Sequence, residues 1–413
     1  METLHNTVDA PTWTRKTAAF LGLNRNVGVL VVSVFGLALG EELWQAYLPK
    51  YLVGLGASGV IVGVFASCKD LLDGLYQYPG GWVSDRFGRK RALVVFTVIA
   101  MCGYMFYALA YHWVDLFVGL IFVMAWKAGA FPATFAVIGE ALPQGKRGIA
   151  FSVQAILARL PRVISAPIGG LLIAGLGLLA GVQVGVAITL VLATVVLIVQ
   201  HRAYHERPRH KEEYSTASAL SVFRRMPAPL KRLLFADCLV RIGEGIAAAF
   251  IILYVTDELH VSIAAFGVLY AIQQAVAIGL YIPSGKLADL TGRRPLVALS
   301  FLFFALFPLA VSISGSFVAL VFAFIVGGMK EFGEPARKSV IVDLSEPSQR
   351  GRSVGVYYTI RNLLMVPAGT LGGLLWTYEP VLPLQVAFIV GLCGVAVFLF
   401  HSKGGEKYEV GNA

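Results

Sequence analysis

Charged residues are scarce in this chain: Asp, Glu, Lys and Arg together make up 14% of its 413 residues, whereas a soluble domain carries about a quarter. Hydrophobic residues reach 57%, and apolar runs of about 18 or more residues recur along the whole length. Such runs predict many transmembrane helices and exclude an ordinary soluble domain. The net charge of +10 would suit a nucleic-acid ligand, but its distribution indicates orientation in a lipid bilayer instead.

Cysteines are few as well. Cys68, Cys102, Cys238 and Cys393 all fall inside apolar runs, which predicts buried thiols rather than a disulfide framework or a metal site. The sequence also lacks a phosphate-binding glycine loop, a cluster of metal ligands and a nucleophile triad. We therefore expect no cofactor and no enzymatic activity, and we exclude an ATP-driven pump. Residues 1–26 are polar and show no signal-peptide pattern.

The apolar runs predict twelve transmembrane helices. Their expected bounds are about 27–50, 58–82, 91–111, 114–140, 149–173, 177–200, 232–256, 262–284, 295–314, 317–342, 352–376 and 384–402. Basic residues outside these helices lie on the side that carries both termini, with Lys50 as the exception. This asymmetry predicts that both termini are cytoplasmic. The chain thus divides into a segment 1–26, a first bundle 27–200, a linker 201–231, a second bundle 232–402 and a tail 403–413.

The linker has two interpretations. It is rich in His, Arg, Lys and Glu and contains three prolines, which favours a solvated tether. Alternatively, Ser221–Met226 lies on anionic lipid headgroups as a short amphipathic piece.

One sequence pattern occurs twice, about half the chain apart. Residues 81–90 and 285–294 both read Gly-x-x-x-Asp-x-x-Gly-Arg followed by a basic residue, and the offset is 285 − 81 = 204 residues. Further matches have an offset of 330 − 127 = 203 residues, including Lys127 with Lys330. An internal repeat at this distance indicates two similar halves.

The spacing of this loop resembles the signature loop of the major facilitator superfamily of secondary transporters. In that family it lies between the second and third helices, with a weaker copy between the eighth and ninth. The resemblance covers about residues 27–402. It implies an all-α membrane protein with twelve transmembrane helices in two pseudo-symmetric bundles of six. We expect a monomer in the cytoplasmic (inner) membrane of a bacterium.

The resemblance also implies a latch on the cytoplasmic side. In the family, the Asp of each loop faces the positive N-terminal end of a helix in the opposite half, and loop arginines reach acids at neighbouring helix ends. Such contacts would form only when the cytoplasmic side is closed, and would favour the outward-open state. Alternatively, these basic residues only set the topology. The residues assigned to the latch are Gly81, Asp85, Arg86, Gly88, Arg89, Glu140, Gly285, Asp289, Gly292, Arg293 and Asp343.

Ionisable residues interrupt several predicted helices, where an unpaired charge costs several kcal/mol. They are Glu41, Glu42, Lys69, Asp70, Asp73, Lys127, Arg159, Arg162, Asp237, Arg241, Glu244, Lys330, Glu331, Glu334, Arg337 and Arg361. The third, sixth, ninth and twelfth predicted helices contain none of them, and these four are peripheral in the family. One interpretation is that acids and bases pair and hold the helices in register. The other is that some of them contact a substrate or carry protons.

Candidates for two roles follow. The proton-coupling candidates are Glu41, Glu42, Asp73 and Glu244. Glu41 is the first choice, because a carboxylate deep in the bilayer loses hydration and takes up a proton more readily. The substrate-binding candidates are Lys127, Arg159, Arg162, Arg241, Lys330, Glu334, Arg361, Gln45 and Gln273. Lys127 and Lys330 are expected to face each other across a cavity and bind an anionic group, unless each pairs with a local acid such as Glu334.

These features predict a secondary transporter that moves a small solute by alternating access. Export by proton antiport is the first hypothesis, because the carboxylates in the first two helices resemble those of multidrug and lipid exporters. Two departures from the drug-antiporter pattern weigh against it. Leu120 stands where many drug antiporters carry an arginine. Residues 166–170 read Ala-Pro-Ile-Gly-Gly, a shortened form of the antiporter signature Gly-Pro-x-x-Gly-Gly. Uptake of an organic anion by proton symport is the second hypothesis. A transporter-like sensor, or a lipid scramblase or flippase, is the third.

Overall fold

Helices form every regular element in the part of the chain that the computed structural model describes, residues 25–126, 147–205, 219–345 and 350–400. The first half contains α1 (Arg25–Glu41), α2 (Leu48–Gly54), α3 (Gly59–Phe87), α4 (Arg89–Ala108), α5 (Trp113–Trp126), α6 (Arg147–Leu176) and α7 (Leu178–Ala203). The second half contains α8 (Ala219–Arg225), α9 (Ala228–Ala248), α10 (Phe250–Leu253), α11 (Ile263–Thr291), α12 (Arg293–Ser312), α13 (Phe317–Met329), α14 (Glu334–Asp343), α15 (Arg350–Tyr378) and α16 (Leu382–Phe400).

Each of the twelve predicted helices has a helical counterpart in this order. Within the described residues, seven spans are long and apolar enough to cross a membrane by themselves, and an eighth is added when α9 and the bent segment up to Glu258 count as one. The others fall short for local reasons. α3 carries Lys69, Asp70 and Asp73 within its apolar stretch, and α13 and α14 are each too short to span alone.

Two of the predicted helices contain a break that the apolar pattern does not show. The helix predicted at 317–342 stops at Met329 and resumes at Glu334. Pro335 lies in the first turn of the resumed helix, where its missing N–H costs no hydrogen bond. The carbonyl of Lys330, left free by the break, accepts a hydrogen bond from the hydroxyl of Ser300.

The second break lies in the first predicted helix, which ends at Glu41 and continues as α2 after a short 3-10 turn at Gln45–Tyr47. The seventh predicted helix is bent rather than broken. It turns by 40° after Ala248 and ends in a π-helical turn, Tyr254–Glu258. These irregular segments direct polar backbone and side chains where a straight helix would not.

The two signature loops share one backbone feature. Gly88 joins α3 to α4 with φ 90° and ψ 152°, and Gly292 joins α11 to α12 with φ 82° and ψ 161°. Residues with a Cβ rarely adopt these angles, so glycine is required at this place in both copies of the repeat. We call this end of the molecule the loop end and the opposite end, where α3 and α11 begin, the far end.

The halves meet along two helix pairs, α3 with α15 and α6 with α11, the most extensive pairings in the described chain. Gly63 of α3 lies directly against the backbone of Gly369 and Gly373 of α15, where a Cβ would collide. These contacts lie toward the far end. Gly74 and Gly279, nearer the loop end on α3 and α11, have open space where a Cβ would point. Among the described glycines, those of α3 and α15 therefore show close packing of the halves toward the far end.

The cysteines differ from the prediction that all four are buried. Cys238 is buried and Cys68 is partly buried, but Cys102 on α4 and Cys393 on α16 are exposed on the outer surfaces of their helices. The prediction is wrong for these two because an outer helix presents apolar residues to lipid as readily as to the core. All four are free thiols.

Candidate functional site

A cavity of about 400 Å³ lies between the two halves, within the range of small-molecule sites. The segment that follows α1, together with α2, α3 and α6, lines it from the first half, and elements from α9 to α13 line it from the second. Its aromatic lining consists of Phe65, Phe266, Tyr270, Phe304, Phe307 and Phe324. Its charged lining consists of Glu42, Lys69, Asp70, Arg162, Glu244 and Lys330. The charges are balanced, three acids against three bases.

Two of the cavity acids are paired with cavity bases. Glu42 accepts a hydrogen bond of 2.9 Å from Nε of Arg162, within the first half. Glu244 accepts one of 2.6 Å from Nζ of Lys330, within the second half. Lys330 thus pairs with Glu244 and not with Glu334, the local partner considered from the sequence. Its predicted counterpart, Lys127, lies outside the described residues.

The adjacent acids Glu41 and Glu42 point in different directions. Glu42 faces the cavity, whereas Glu41 is 4% exposed and does not line it. The Glu41 carboxylate accepts a hydrogen bond of 2.6 Å from the hydroxyl of Tyr104. Trp44 packs edge-on against Tyr104 and Tyr107 beside it. Because α1 ends at Glu41, the chain turns between the two acids and separates their surroundings.

A second group of charges extends from Glu244 toward the loop end inside the second half. Arg241 donates to Glu244 at 2.7 Å and lies 3.5 Å from Glu334. Arg337 forms ion pairs with Glu334 and with the fully buried Asp237. Asp237 also accepts a hydrogen bond from Tyr357, 3.0 Å, and lies 3.8 Å from Arg361. The cavity lining does not include Arg241, Glu334 or Arg361, so these three predicted substrate contacts are ion-pair partners here.

Among the described residues, two other ion pairs join one half to the other. At the far end, Lys50 of α2 pairs with Asp257 in the π-helical turn. On the loop-end side of the cavity, Arg159 of α6 pairs with Glu331 at 2.8 Å, and it donates to Gln274 of α11 at 3.2 Å. The cavity thus lies between two charged connections from one half to the other.

The remaining predicted residues divide into three groups. Gln45 and Gln273 line the cavity, whereas Asp73 and Arg159 do not. For five latch residues the structure describes the backbone only, and all five lie in helices: Gly81, Asp85, Arg89, Gly285 and Asp289. Glu140 lies outside the described residues, and Arg86 is exposed at the end of α3.

Arg293 forms an ion pair with Asp343, as the latch predicts. That pair lies within the second half, so it needs no contact between the halves and does not depend on closure of the loop end.

Sequence reasoning missed several lining residues. Phe304, Phe307 and Pro308 belong to α12, the ninth predicted helix, which was expected to be peripheral. Their three-to-four-residue spacing marks one helix face, but many buried faces look the same. Asp257 was also missed. The isolated Lys50 could have pointed to Asp257, because it is the sole Lys or Arg on its side of the predicted helices and a lysine there favours an acidic partner.

Comparison with known proteins agrees with this architecture. The family model for the Major Facilitator Superfamily matches residues 29–240 and 233–411. An uncharacterized MFS-type transporter of Methanocaldococcus jannaschii is 20% identical over 92% of this chain and 95% of its own length. The multidrug resistance protein MdtH of Proteus mirabilis is 23% identical over 87% of this chain and 89% of its own. A multi-drug resistance efflux pump PmrA homolog of Lactococcus lactis is 31% identical, over 42% of this chain and 44% of its own.

Solved structures share the fold at low sequence identity. A POT family transporter crystallised with 5-aminolevulinic acid superposes with a TM-score of 0.75 at 14% identity, over 91% of this chain and 95% of the other. The nucleoside transporter NupG superposes with a TM-score of 0.74 at 15% identity, over 92% and 98%. Because the family model matches across both halves, this chain belongs to the major facilitator superfamily of membrane transporters.

Proposed function

We propose that the protein exports a small amphiphilic solute in exchange for protons. The observation that supports this most directly is the cavity between Lys50–Asp257 at the far end and Arg159–Glu331 toward the loop end. Alternating access requires that one site face each side of the membrane in turn. Ion pairs between the halves on both sides of the cavity suit that cycle, because either can break while the other holds the halves together.

The loop end is cytoplasmic in this proposal. Basic residues are concentrated in the loops and termini of that end, and the positive-inside rule places such segments in the cytoplasm. Both termini are then cytoplasmic and the membrane is a bacterial inner membrane. The close packing of Gly63 against α15 at the far end corresponds to a conformation closed toward the outside.

Glu42 is the residue that takes the coupling proton. It lines the cavity, so water from whichever side is open can reach it. Protonation would neutralise the charge that holds Arg162 at 2.9 Å and would free that guanidinium to move. Glu244 is a poorer carrier because it is bound by two bases, Lys330 and Arg241, whereas Glu42 is bound by one. Glu41 faces Tyr104 rather than the cavity.

Export is favoured over uptake of an organic anion by two observations. The cavity bases Arg162 and Lys330 already hold carboxylates of the protein, so an anion would have to displace them. The relatives from Lactococcus lactis and Proteus mirabilis bear names of multidrug efflux and resistance proteins, which agrees with the aromatic wall of the cavity.

Transport by the purified protein in vesicles tests the proposal. Protein oriented with its loop end outward would be given a vesicle interior more acidic than the medium, and the uptake of ethidium, chloramphenicol and fluorescein would be followed together with luminal pH. We expect uptake of at least one solute, coupled to a rise in luminal pH and absent from protein-free vesicles. Uptake driven by the opposite gradient would support symport. Equal movement with no gradient would support a scramblase.

A further inference from the structure

One cavity carboxylate differs from the other two. Glu42 and Glu244 each pair with a cavity base, Arg162 and Lys330. Asp70 of α3 also lines the cavity, yet within the described residues the charges of Lys69, Asp73 and Glu244 act on it without a hydrogen bond to its carboxylate. An ionised carboxylate inside a membrane protein is costly unless something compensates its charge. Because the Asp70 carboxylate has no ion-pair partner among the described residues, it points to a ligand that supplies a positive charge.

The charged groups around Asp70 reinforce this need. Lys69 and Asp73 lie on the same helix, and Glu244 of α9 faces Asp70 from the other half. One base therefore stands against two further acids. The bases nearest Glu244 are Lys330 and Arg241, and both are bound to Glu244 itself at 2.6 and 2.7 Å.

The rest of the wall suits an apolar body attached to such a cation. Phe65 lies on α3 between the far end and Asp70. Phe266, Phe304 and Phe307 face it from the second half. Aromatic faces attract cations as well as burying apolar surface. The cavity thus combines a carboxylate that has no ion pair within the described residues with an aromatic wall that lies mainly on the opposite half.

We propose that Asp70 binds the positively charged group of an amphiphilic organic cation, whose apolar part packs against the aromatic wall. This inference rests on the proposed transport function and adds the class of substrate to it. Because Asp70 belongs to the first half and the aromatic wall mainly to the second, a bound cation contacts both halves at once. Its release would follow when the halves separate on one side.

The test compares two probes of nearly equal shape and opposite charge, tetraphenylphosphonium and tetraphenylborate. Each is measured separately by equilibrium dialysis against the purified full-length protein in detergent micelles. We expect the wild type to bind the cation more tightly than the anion. Asp70→Asn should weaken cation binding by about tenfold or more, the effect of losing a charged partner, and Asp70→Glu should retain most of it.

A matched control is Asp115→Asn, which makes the same change outside the cavity. Asp115 lies at the far end, where its carboxylate accepts hydrogen bonds from the backbone N–H groups of Tyr111 and His112, and an amide oxygen can replace it. Thermal unfolding of each variant would establish that it is folded. If Asp70→Asn is not folded, the inference is tested by the wild type alone, which should bind the cation more tightly than the anion.

Two results would overturn the inference: cation binding by folded Asp70→Asn equal to that of the wild type, or tighter binding of the anion by the wild type. Proton-coupled transport measured on the same preparation separates this inference from the proposed function. A wild type that transports in response to a pH gradient but shows no preference for the cation contradicts the substrate class alone. A wild type that binds the cation through Asp70 but transports no solute contradicts the transport proposal alone.

Discussion

Lys50 and Asp257 form an ion pair that ties the two halves together at the far end, across 257 − 50 = 207 residues of sequence. The side chains are 18% and 34% exposed. An ion pair exposed to this extent contributes about 1 kcal/mol or less. Such a contact can bias a conformational equilibrium, yet it is weak enough to break within a transport cycle.

Neutralising this pair should open the far end. We expect Lys50→Ala or Asp257→Ala to raise the accessibility of the cavity from outside by up to about fivefold, the equivalent of about 1 kcal/mol. The measurement is the labelling rate of Ala248→Cys, a cavity position, by an impermeant thiol reagent in protein lacking its native cysteines. The exchanged pair Lys50→Asp with Asp257→Lys should label slowly again. Rapid labelling of the exchanged pair would show that its charge attraction does not hold the end closed.

Breaking the ion pair between Arg159 and Glu331 should open the loop end instead of the far end. Both side chains are nearly buried, 16% and 11% exposed, so loss of one partner leaves the other charge poorly compensated. Glu331→Gln should increase labelling of the same Ala248→Cys reporter from the loop end, in vesicles of inverted orientation, and should not increase it from the far end. Equal increases from both sides would indicate general loosening rather than a directional effect.

The sequence predicted the family, the helix order and the duplication, because apolar runs, basic loops and a repeated loop motif are local patterns. It did not predict the partners of the charges. Lys330 pairs with Glu244 and Arg159 with Glu331 because of how separate helices are rotated. The breaks after Glu41 and Met329 were missed for a related reason: mean apolarity does not record where a helix stops.

Glu41 and Glu42 form a matched pair of sites for testing proton coupling. Glu42→Gln should abolish solute accumulation driven by a pH gradient while leaving solute exchange at equal pH, because the cavity loses the carboxylate that we propose takes up the coupling proton. Glu41→Gln should retain gradient-driven accumulation, since that side chain faces Tyr104 and not the cavity. Accumulation by vesicles containing each variant would be compared with the wild type. The reverse pattern would assign the proton to Glu41, the first choice from the sequence.

Gly63 should be essential for closing the far end. A side chain there would meet the backbone of Gly369 and Gly373 on the facing helix, so Gly63→Val would hold α3 and α15 apart. We expect this variant to fold but to transport slowly, with the Ala248→Cys reporter permanently accessible from outside. Gly74→Val, on the same helix where a Cβ meets open space, is the control and should behave like the wild type. Normal transport by Gly63→Val would show that the close crossing is dispensable.

The buried charges around Arg337 decide between the structural and the functional interpretation of the second-half network. Arg337 is 2% exposed and holds two acids, Asp237 and Glu334. Arg337→Met should remove the base nearest to both acids and destabilise the protein by about 3–5 kcal/mol, seen as a large drop in the thermal unfolding temperature in detergent. Lys338→Met removes another base that contacts Glu334, at 3.3 Å, but this lysine is 56% exposed. Its loss should change stability by less than about 1 kcal/mol. If Arg337→Met unfolds at the wild-type temperature and has lost transport, the network acts in transport rather than in holding the helices together.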